Sequence, residues 1–331
     1  MDPAPPAPST SFWVDSTLTE SCNGRSKIRV DVWTPARVAV GPRAAVICLH
    51  GGGWILGQGT DCSRWAGAVM GALDAVVFSI NYRLAPYHPF PVPIEDTVDA
   101  ILQIAKRACQ FGIDPDHMIL SGFSAGASTA LSSWIILQDP GSFGYKLPFP
   151  APQIRGLVLF YPVLDWTISR PEKRKSCSRP DLTLSKALTD LIDACYIYPC
   201  IARKERTDIR LSPGLMPGDL IQQLPPIHLC LCEYDMLLAE GQRFAARLEA
   251  QGKAHSLRVV MGEKHGWDCP PPMWPKESVA VEYGEATQAM AAWLCREHDS
   301  DNASMRSART SRLSIPRPSA LLISRSKSCE T

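Results

Sequence analysis

Apolar positions along the chain fall into short unbroken runs separated by stretches with a helical period. Residues 44–49 form one such run and stop at a His-Gly-Gly-Gly turn; residues 76–80 form another. Runs of this length suit central parallel strands buried on both faces. Residues 28–33 instead alternate apolar and polar, the pattern of a strand with one exposed face. Between residues 94 and 111, apolar positions 94, 98, 101, 102, 104, 105 and 108 recur at helical spacing. Asp114, Pro115 and Asp116 then break the chain before a short strand at 118–120. A helix at 125–138, strands at 154–160 and 226–232, a helix at 237–250, a strand at 256–260 and a closing helix at 278–296 follow. This alternation predicts an α/β fold, a mostly parallel central sheet flanked by helices on both faces.

Two kinds of segment stand outside the alternation. Residues 165–224 interrupt it between two predicted strands and carry Leu182, Leu184, Leu188, Leu191, Ile192 and Tyr196 at the spacing of one helical face. An insertion of that length reads as a helical lid. The Pro-rich residues 1–10 and the Ser/Arg-rich residues 301–331 read as a disordered lead-in and a disordered tail, leaving 11–300 as the folded domain.

Composition narrows the partners more than the chemistry. The 331 residues are 45% hydrophobic and 20% charged, enough for a sizeable core, and the net charge of +1 gives no reason to expect nucleic acid. No basic start precedes an apolar run near Met1, and no run is long enough to span a bilayer. A cytoplasmic protein without stable membrane insertion is the expectation, and a homodimer is compatible with it. The 12 cysteines do not form paired C-x-x-C motifs, and no His/Cys cluster has ligand spacing, so buried reduced thiols and no metal are expected.

The chemistry is carried by three stretches. Gly122, Phe123, Ser124, Ala125 and Gly126 match G-x-S-x-G, between a predicted strand and a predicted helix. Small residues two before and two after a serine permit a sharp turn that lifts its hydroxyl clear of the sheet, which makes Ser124 the candidate nucleophile. His50, Gly51, Gly52, Gly53 and Trp54 follow a buried strand. Glycines there can turn backbone N–H groups toward a developing oxyanion, and the N–H groups of Gly52, Gly53 and Ala125 are the candidate donors. His50 itself reads as a structural residue of the loop. In this order of elements the acid and base come after the serine. His265 sits on a Gly-flanked loop after strand 256–260 and is the candidate base; His228 lies inside an apolar strand. Asp235 and Glu233 both end the preceding strand, and Asp235 is the better placed acid, just before a helix.

Taken together these residues resemble the hormone-sensitive-lipase-like esterase family, over about residues 31–296. The resemblance rests on His50 to Trp54, Asn81 to Pro86 with His88 to Pro91 and Glu95 and Asp96, Gly122 to Gly126, Tyr161 to Asp165, Asp235 with Glu240 and Gly241, and His265 with Gly266. It implies an eight-stranded sheet, a cap from about 11–40 and 165–222, and cofactor-free hydrolysis of short- to medium-chain esters of a small molecule. The cap is expected to offer an apolar substrate pocket, with Trp54, Trp166, Leu184 and Tyr196 as candidates. Phe123 stands where the family usually has Asp, Ala127 where it usually has Gly, and Ala239 where it usually has Asp; none of these is a catalytic position, but Phe123 leaves substrate preference open. The tail is similar in style to that of fungal relatives, some of which deacylate secondary metabolites. Two rival readings are amide hydrolysis, as in arylformamidases, and a non-catalytic hormone receptor on the same fold. Receptors of that kind lack the base, whereas His265 is present here.

Overall fold

The unbroken apolar runs become the centre of one sheet. The computed structural model describes residues 4–19, 26–269 and 275–311. Strands β1 (Thr10–Asp15), β2 (Lys27–Trp33), β3 (Arg43–Leu49), β4 (Val76–Asn81), β5 (Ile113–Phe123), β6 (Ile154–Phe160), β7 (Ile227–Tyr234) and β8 (His255–Lys264) pair in the order β1-β2-β4-β3-β5-β6-β7-β8. The pairings of β2 with β1 and with β4 are antiparallel; all others are parallel. After β3 the chain turns first to β4 on one side and later to β5 on the other. The carboxyl ends of β3 and β5 therefore flank the point where strand order reverses, where open α/β sheets place ligands.

Side chains of β3 alternate between two cores. Ala45, Ile47 and Leu49 face one, and Val46 and Cys48 face the other. Helices α1 (Ser63–Leu73), α2 (Val92–Lys106), α3 (Ala108–Phe111), α4 (Ala125–Gln138), α5 (Arg170–Lys175), α6 (Lys186–Tyr196), α7 (Gly218–Gln223), α8 (Leu238–Ala250) and α9 (Glu277–Ser311) complete the chain. Residues of α2, α4 and α8 fill the first core, and residues of α1 and α9 fill the second. Among the described residues no helix is long and apolar enough to cross a membrane. The chain divides into two compact units, residues 1–294 and 295–331; the sheet and the helical insertion lie in the first.

Several sequence expectations need correction. The stretch expected as part of a cap, 11–40, contributes β1 and β2 to the sheet itself; the helical insertion 165–222 carries α5, α6 and α7. Strand β2 is not exposed on one face: Asp31 and Trp33 are buried as well as Ile28, Val30 and Val32. Asp31 is enclosed by Arg29 and Asn81, and Trp33 by the N-terminal segment, expected as disordered. The Ser9 N–H donates to the Val32 carbonyl at 2.7 Å, and the Trp33 indole donates to the Pro6 carbonyl at 2.9 Å. Asp114 to Asp116 do not break the chain; β5 runs through them, with a register shift against β3 between Arg43 and Ala45. Helix α1 was not foreseen, because Gly67 and Gly71 dilute the apolar period of Trp65, Ala66 and Val69. Helix α9 runs past residue 296 to Ser311, and the expected disordered tail lies outside the described residues from 312 onward. Of the cysteines, Cys48, Cys62, Cys177, Cys230 and Cys232 are buried and unpaired, whereas Cys109, Cys200, Cys269 and Cys295 are exposed.

Two buried polar groups show how the framework is held. The Asp96 carboxylate, fully buried, takes the Arg83 guanidinium and the Arg83 backbone N–H. This pair joins the loop after β4 to α2 and accounts for the Asn81 to Asp96 part of the family pattern. His228 in β7 is 1% exposed; its Nδ1 lies 2.8 Å from Ser256 Oγ, and its Nε2 finds no partner among the described residues. Burial pushes its pKa down to about 4, against roughly 6.5 in an unfolded chain. The unfolded state therefore binds a proton that the folded state refuses, and stability falls as pH drops from 6.5 toward 4, by about 3 kcal/mol in total. His228→Leu should flatten that part of the stability profile, measured as urea midpoints against pH. Parallel profiles for the two proteins would assign the acid sensitivity to other groups.

Candidate active site

Strand β5 passes into α4 through one residue, Ser124, held at φ 52° and ψ −117°. This is costly backbone for a residue with a Cβ, by about 1–3 kcal/mol. The turn is possible because its neighbours are glycines. A Cβ on Gly122 would lie 2.5 Å from the Gly126 backbone, and one on Gly126 would lie 2.2 Å from the Leu49 carbonyl oxygen. The Ser124 N–H donates to the Phe160 carbonyl at 2.9 Å, which fixes the turn against β6.

The hydroxyl raised by this turn meets the two residues expected from the sequence. Ser124 Oγ lies 2.8 Å from His265 Nε2, and His265 Nδ1 lies 2.6 Å from Asp235 Oδ2. A carboxylate can only accept, so the proton sits on Nδ1 and Nε2 is left to accept from the serine. Asp235 is 1% exposed and takes the Leu237 N–H at 3.1 Å on its other oxygen. Glu233, the competing acid, points elsewhere and accepts the Gly262 N–H at 2.6 Å.

The glycine loop after β3 lies beside Ser124. Gly52 (φ 112°) and Gly53 (φ 62°) both hold backbone that favours glycine, and a Cβ on Gly52 would lie 2.2 Å from the Leu56 carbonyl oxygen. Among the described residues no backbone carbonyl accepts from the N–H of Gly52 or Gly53. Ala125 opens α4, so its N–H belongs to the first turn, which lacks intrahelical partners. His50 is buried, stacked on Tyr82 at 4.3 Å between ring centroids, with Nδ1 2.8 Å from the Gly51 carbonyl oxygen. Burial holds its pKa below the usual range, so it is neutral near pH 7. The Tyr82 hydroxyl donates to the His50 carbonyl at 2.7 Å, tying this loop to the chain after β4.

A cavity of about 640 Å³ opens over Ser124 and His265, within the size range of small-molecule sites. Its apolar wall comes from Leu56 and from Leu184, Leu188 and Ile192 of the helical insertion. The expected helical face is only partly real. Ser185 caps α6, so Leu182 and Leu184 precede the helix, and Leu191 points to solvent at 53% exposure. Ile192 packs so closely over the glycine loop that a Cβ on Gly53 would lie 2.4 Å from its Cδ1. Of the four candidate substrate contacts only Leu184 lines the cavity. Trp54, Trp166 and Tyr196 instead pack together in the core, with Trp54 stacked on Tyr196 at 4.1 Å and its indole donating to Thr129 Oγ1 at 2.9 Å. Aromatic residues with β-strand and helical neighbours read the same in sequence whether they line a pocket or a core.

Sequence reasoning missed four residues around the site. Thr183, next to Leu184, receives the Met236 N–H at 2.9 Å and lies 3.4 Å from Asp235 Oδ1, so the helical insertion touches Asp235. Tyr161, Asp268 and Tyr283 form a polar cluster behind His265. Tyr161 opens the Tyr161 to Asp165 part of the family pattern, but nothing local in the sequence marks Asp268 or Tyr283 as its partners. Among the described residues no group of three or more His, Cys, Asp or Glu side chains could hold a metal ion.

The α/β-hydrolase fold family matches residues 46–268, well over half the chain. The chain belongs to that family, in its hormone-sensitive-lipase-like esterase branch. It is 30% identical over 252 residues to the carboxylesterase NlhH of Mycobacterium tuberculosis, covering 75% of this chain and 74% of that protein. It is 27% identical to the arylacetamide deacetylase of Bos taurus, with 72% of each chain covered. Among solved structures, an α/β-hydrolase enzyme from the metagenome of Lake Arreo superposes with a TM-score of 0.72 at 28% identity, covering 87% of this chain and 84% of that one. An esterase of Pyrobaculum calidifontis superposes with a TM-score of 0.71 at 25% identity, covering 87% and 86%.

Proposed function

We propose that this protein is a serine carboxylesterase that cleaves short- to medium-chain esters of small molecules through an acyl-enzyme. The observation that carries the reading is the continuous relay from Ser124 Oγ to His265 to Asp235 at the floor of a partly apolar cavity. Ser124 attacks the ester carbonyl while His265 Nε2 takes the hydroxyl proton. The oxyanion rests on the N–H groups of Gly52, Gly53 and Ala125, which are set before the charge develops. His265 returns the proton to the leaving alcohol, and water then repeats the sequence on the acyl-enzyme. Asp235 holds the imidazole tautomer and stabilises its cationic form. No metal or cofactor enters these steps. The names of the relatives agree with ester cleavage, and the arylacetamide deacetylase among them makes aryl amides the second substrate class to assay.

The lid supplies the chain-length test. Each added methylene that is buried against Leu184, Leu188 and Ile192 contributes up to about 0.8 kcal/mol, or about fourfold in kcat/KM. On p-nitrophenyl esters kcat/KM should rise from acetate toward butyrate or hexanoate and collapse by palmitate. Leu184→Trp, which fills the wall, should move the optimum to shorter acids without changing reactivity toward a small phosphonate. An unchanged chain-length profile in that variant would remove the lid from the acyl pocket.

A further inference from the structure

Asp268 is a carboxylate that the ester-cleaving steps do not use. It faces the cavity, and both its oxygens are taken by phenols: Tyr161 donates to Oδ1, and Tyr283 donates to Oδ2 at 2.9 Å. The two tyrosines are 1% and 6% exposed, and burial raises the Asp268 carboxyl above the usual range. The Cys269 sulfur lies 3.9 Å from the Tyr161 hydroxyl. No lysine or arginine hydrogen-bonds or ion-pairs with Asp268 among the described residues. Holding a carboxylate in such a place costs stability that an apolar residue of similar size would not. Its position therefore calls for a role other than stability.

The geometry supplies one. The sequence placed His265 on a Gly-flanked loop, but β8 runs on to Lys264, so Gly262 (φ 72°) lies inside the strand and His265 follows its end directly, with Gly266 (φ 69°) turning the chain after it. Asp235 fixes one atom of the imidazole, Nδ1, but does not fix the plane of the ring. The Tyr161 ring does: its centroid is 4.7 Å from that of His265 at 63°, an edge-on contact. Tyr161 itself is held at φ 38° at the end of β6, unusual for a residue with a Cβ, and its N–H donates to the Cys230 carbonyl at 2.7 Å. Trp267 packs edge-on against the same ring at 5.5 Å. Asp268, three residues beyond His265, thus ties the chain after the histidine to the Tyr161 ring that packs against the imidazole, and through Tyr283 to α9.

We propose that Asp268 is a positioning residue for His265, acting as a hydrogen-bonded tether between Tyr161 and Tyr283. The proposal rests on the serine esterase reading and deepens it. A tether that aligns the base acts on turnover: loss of alignment at this scale costs about 10- to 100-fold in rate. Asp268→Ala should lower kcat by that factor, with KM within about twofold of the parent. Asp268→Asn should recover most of the loss, because its amide oxygen accepts from one phenol and its NH₂ donates to the other.

The experiment measures kcat and KM on p-nitrophenyl butyrate for Asp268→Ala, Asp268→Asn, Tyr161→Phe and Tyr283→Phe. Rates are normalised to the sites titrated to completion by a small fluorophosphonate, so unfolded protein does not count. Should Asp268→Ala fail to fold, the two tyrosine variants carry the same expectation, each losing one arm of the tether and part of kcat. An unchanged kcat per titrated site in Asp268→Ala, a loss confined to KM, or an Asp268→Asn variant as slow as Asp268→Ala would each overturn the proposal. Ser124→Ala run alongside separates this from failure of the parent reading: if that variant keeps its activity, the nucleophile assignment fails whatever Asp268 does.

Discussion

Ser124→Ala is expected to lower kcat on p-nitrophenyl butyrate by on the order of 10⁴- to 10⁶-fold, with little change in KM or in thermal stability. The magnitude follows from what the residue does in the relay. Without Oγ no acyl-enzyme forms, and His265 Nε2, 2.8 Å from Oγ in the parent, has no protein nucleophile to activate. The N–H groups of Gly52, Gly53 and Ala125 and the cavity remain, so a residual rate of about 10³- to 10⁴-fold over water is compatible with the account. Folding should survive, because Ala125 and the flanking glycines keep the turn; removing Oγ deletes one hydroxyl, hydrogen-bonded to His265 Nε2. A variant retaining more than a tenth of parent activity would remove Ser124 from the mechanism.

Asp235→Asn is the second large effect, expected at about 10⁴-fold in kcat with geometry almost unchanged. An asparagine fits the same space, but its NH₂ can face His265 Nδ1 and impose the opposite tautomer. Nε2 then carries a proton and can no longer accept one from Ser124. In this protein the effect should extend to the lid, because Thr183 lies 3.4 Å from Asp235 Oδ1 and accepts the Met236 N–H. Glu233→Gln, by contrast, changes only the acceptor for the Gly262 N–H and should leave kcat within a few-fold. The expected contrast is read directly from steady-state rates of the two variants. Equal losses at 233 and 235 would show that the acid had been misassigned.

The features most legible in the sequence share one property: they are local. A strand, a sharp turn and a helix around Ser124 occupy neighbouring positions, so spacing and residue size expose them. The same holds for the glycines after β3; Asp235 and His265 lie far from Ser124 in sequence and were found instead from the chain order that such a triad follows on this fold. What the sequence hid depends on contacts between distant segments. Trp54, Trp166 and Tyr196 lie 112 and 30 positions apart and show nothing of their mutual stack until the fold joins them. The N-terminal segment, polar and Pro-rich, gives no sign that Trp33 will hydrogen-bond to Pro6, so it reads as unstructured. The helical stripe was half visible: Leu188, Ile192 and Tyr196 keep the helical period, but the Ser185 cap leaves Leu182 outside the helix, and Leu191, inside it, faces solvent. Asp268 was invisible for a related reason, since Tyr161 and Tyr283 reach it from 107 and 15 positions away.

The central claim is that Ser124 forms the covalent bond to substrate, and one measurement addresses it most directly. The purified protein is treated with a small fluorophosphonate, digested and mapped by mass spectrometry, with intact mass taken in parallel. The account predicts a single adduct, on the peptide carrying Gly122 to Gly126, formed at Ser124, abolished in Ser124→Ala and blocked by prior incubation with a slowly turned-over ester. A protein that stays unlabelled while hydrolysing esters, or an adduct at any other residue, would contradict it.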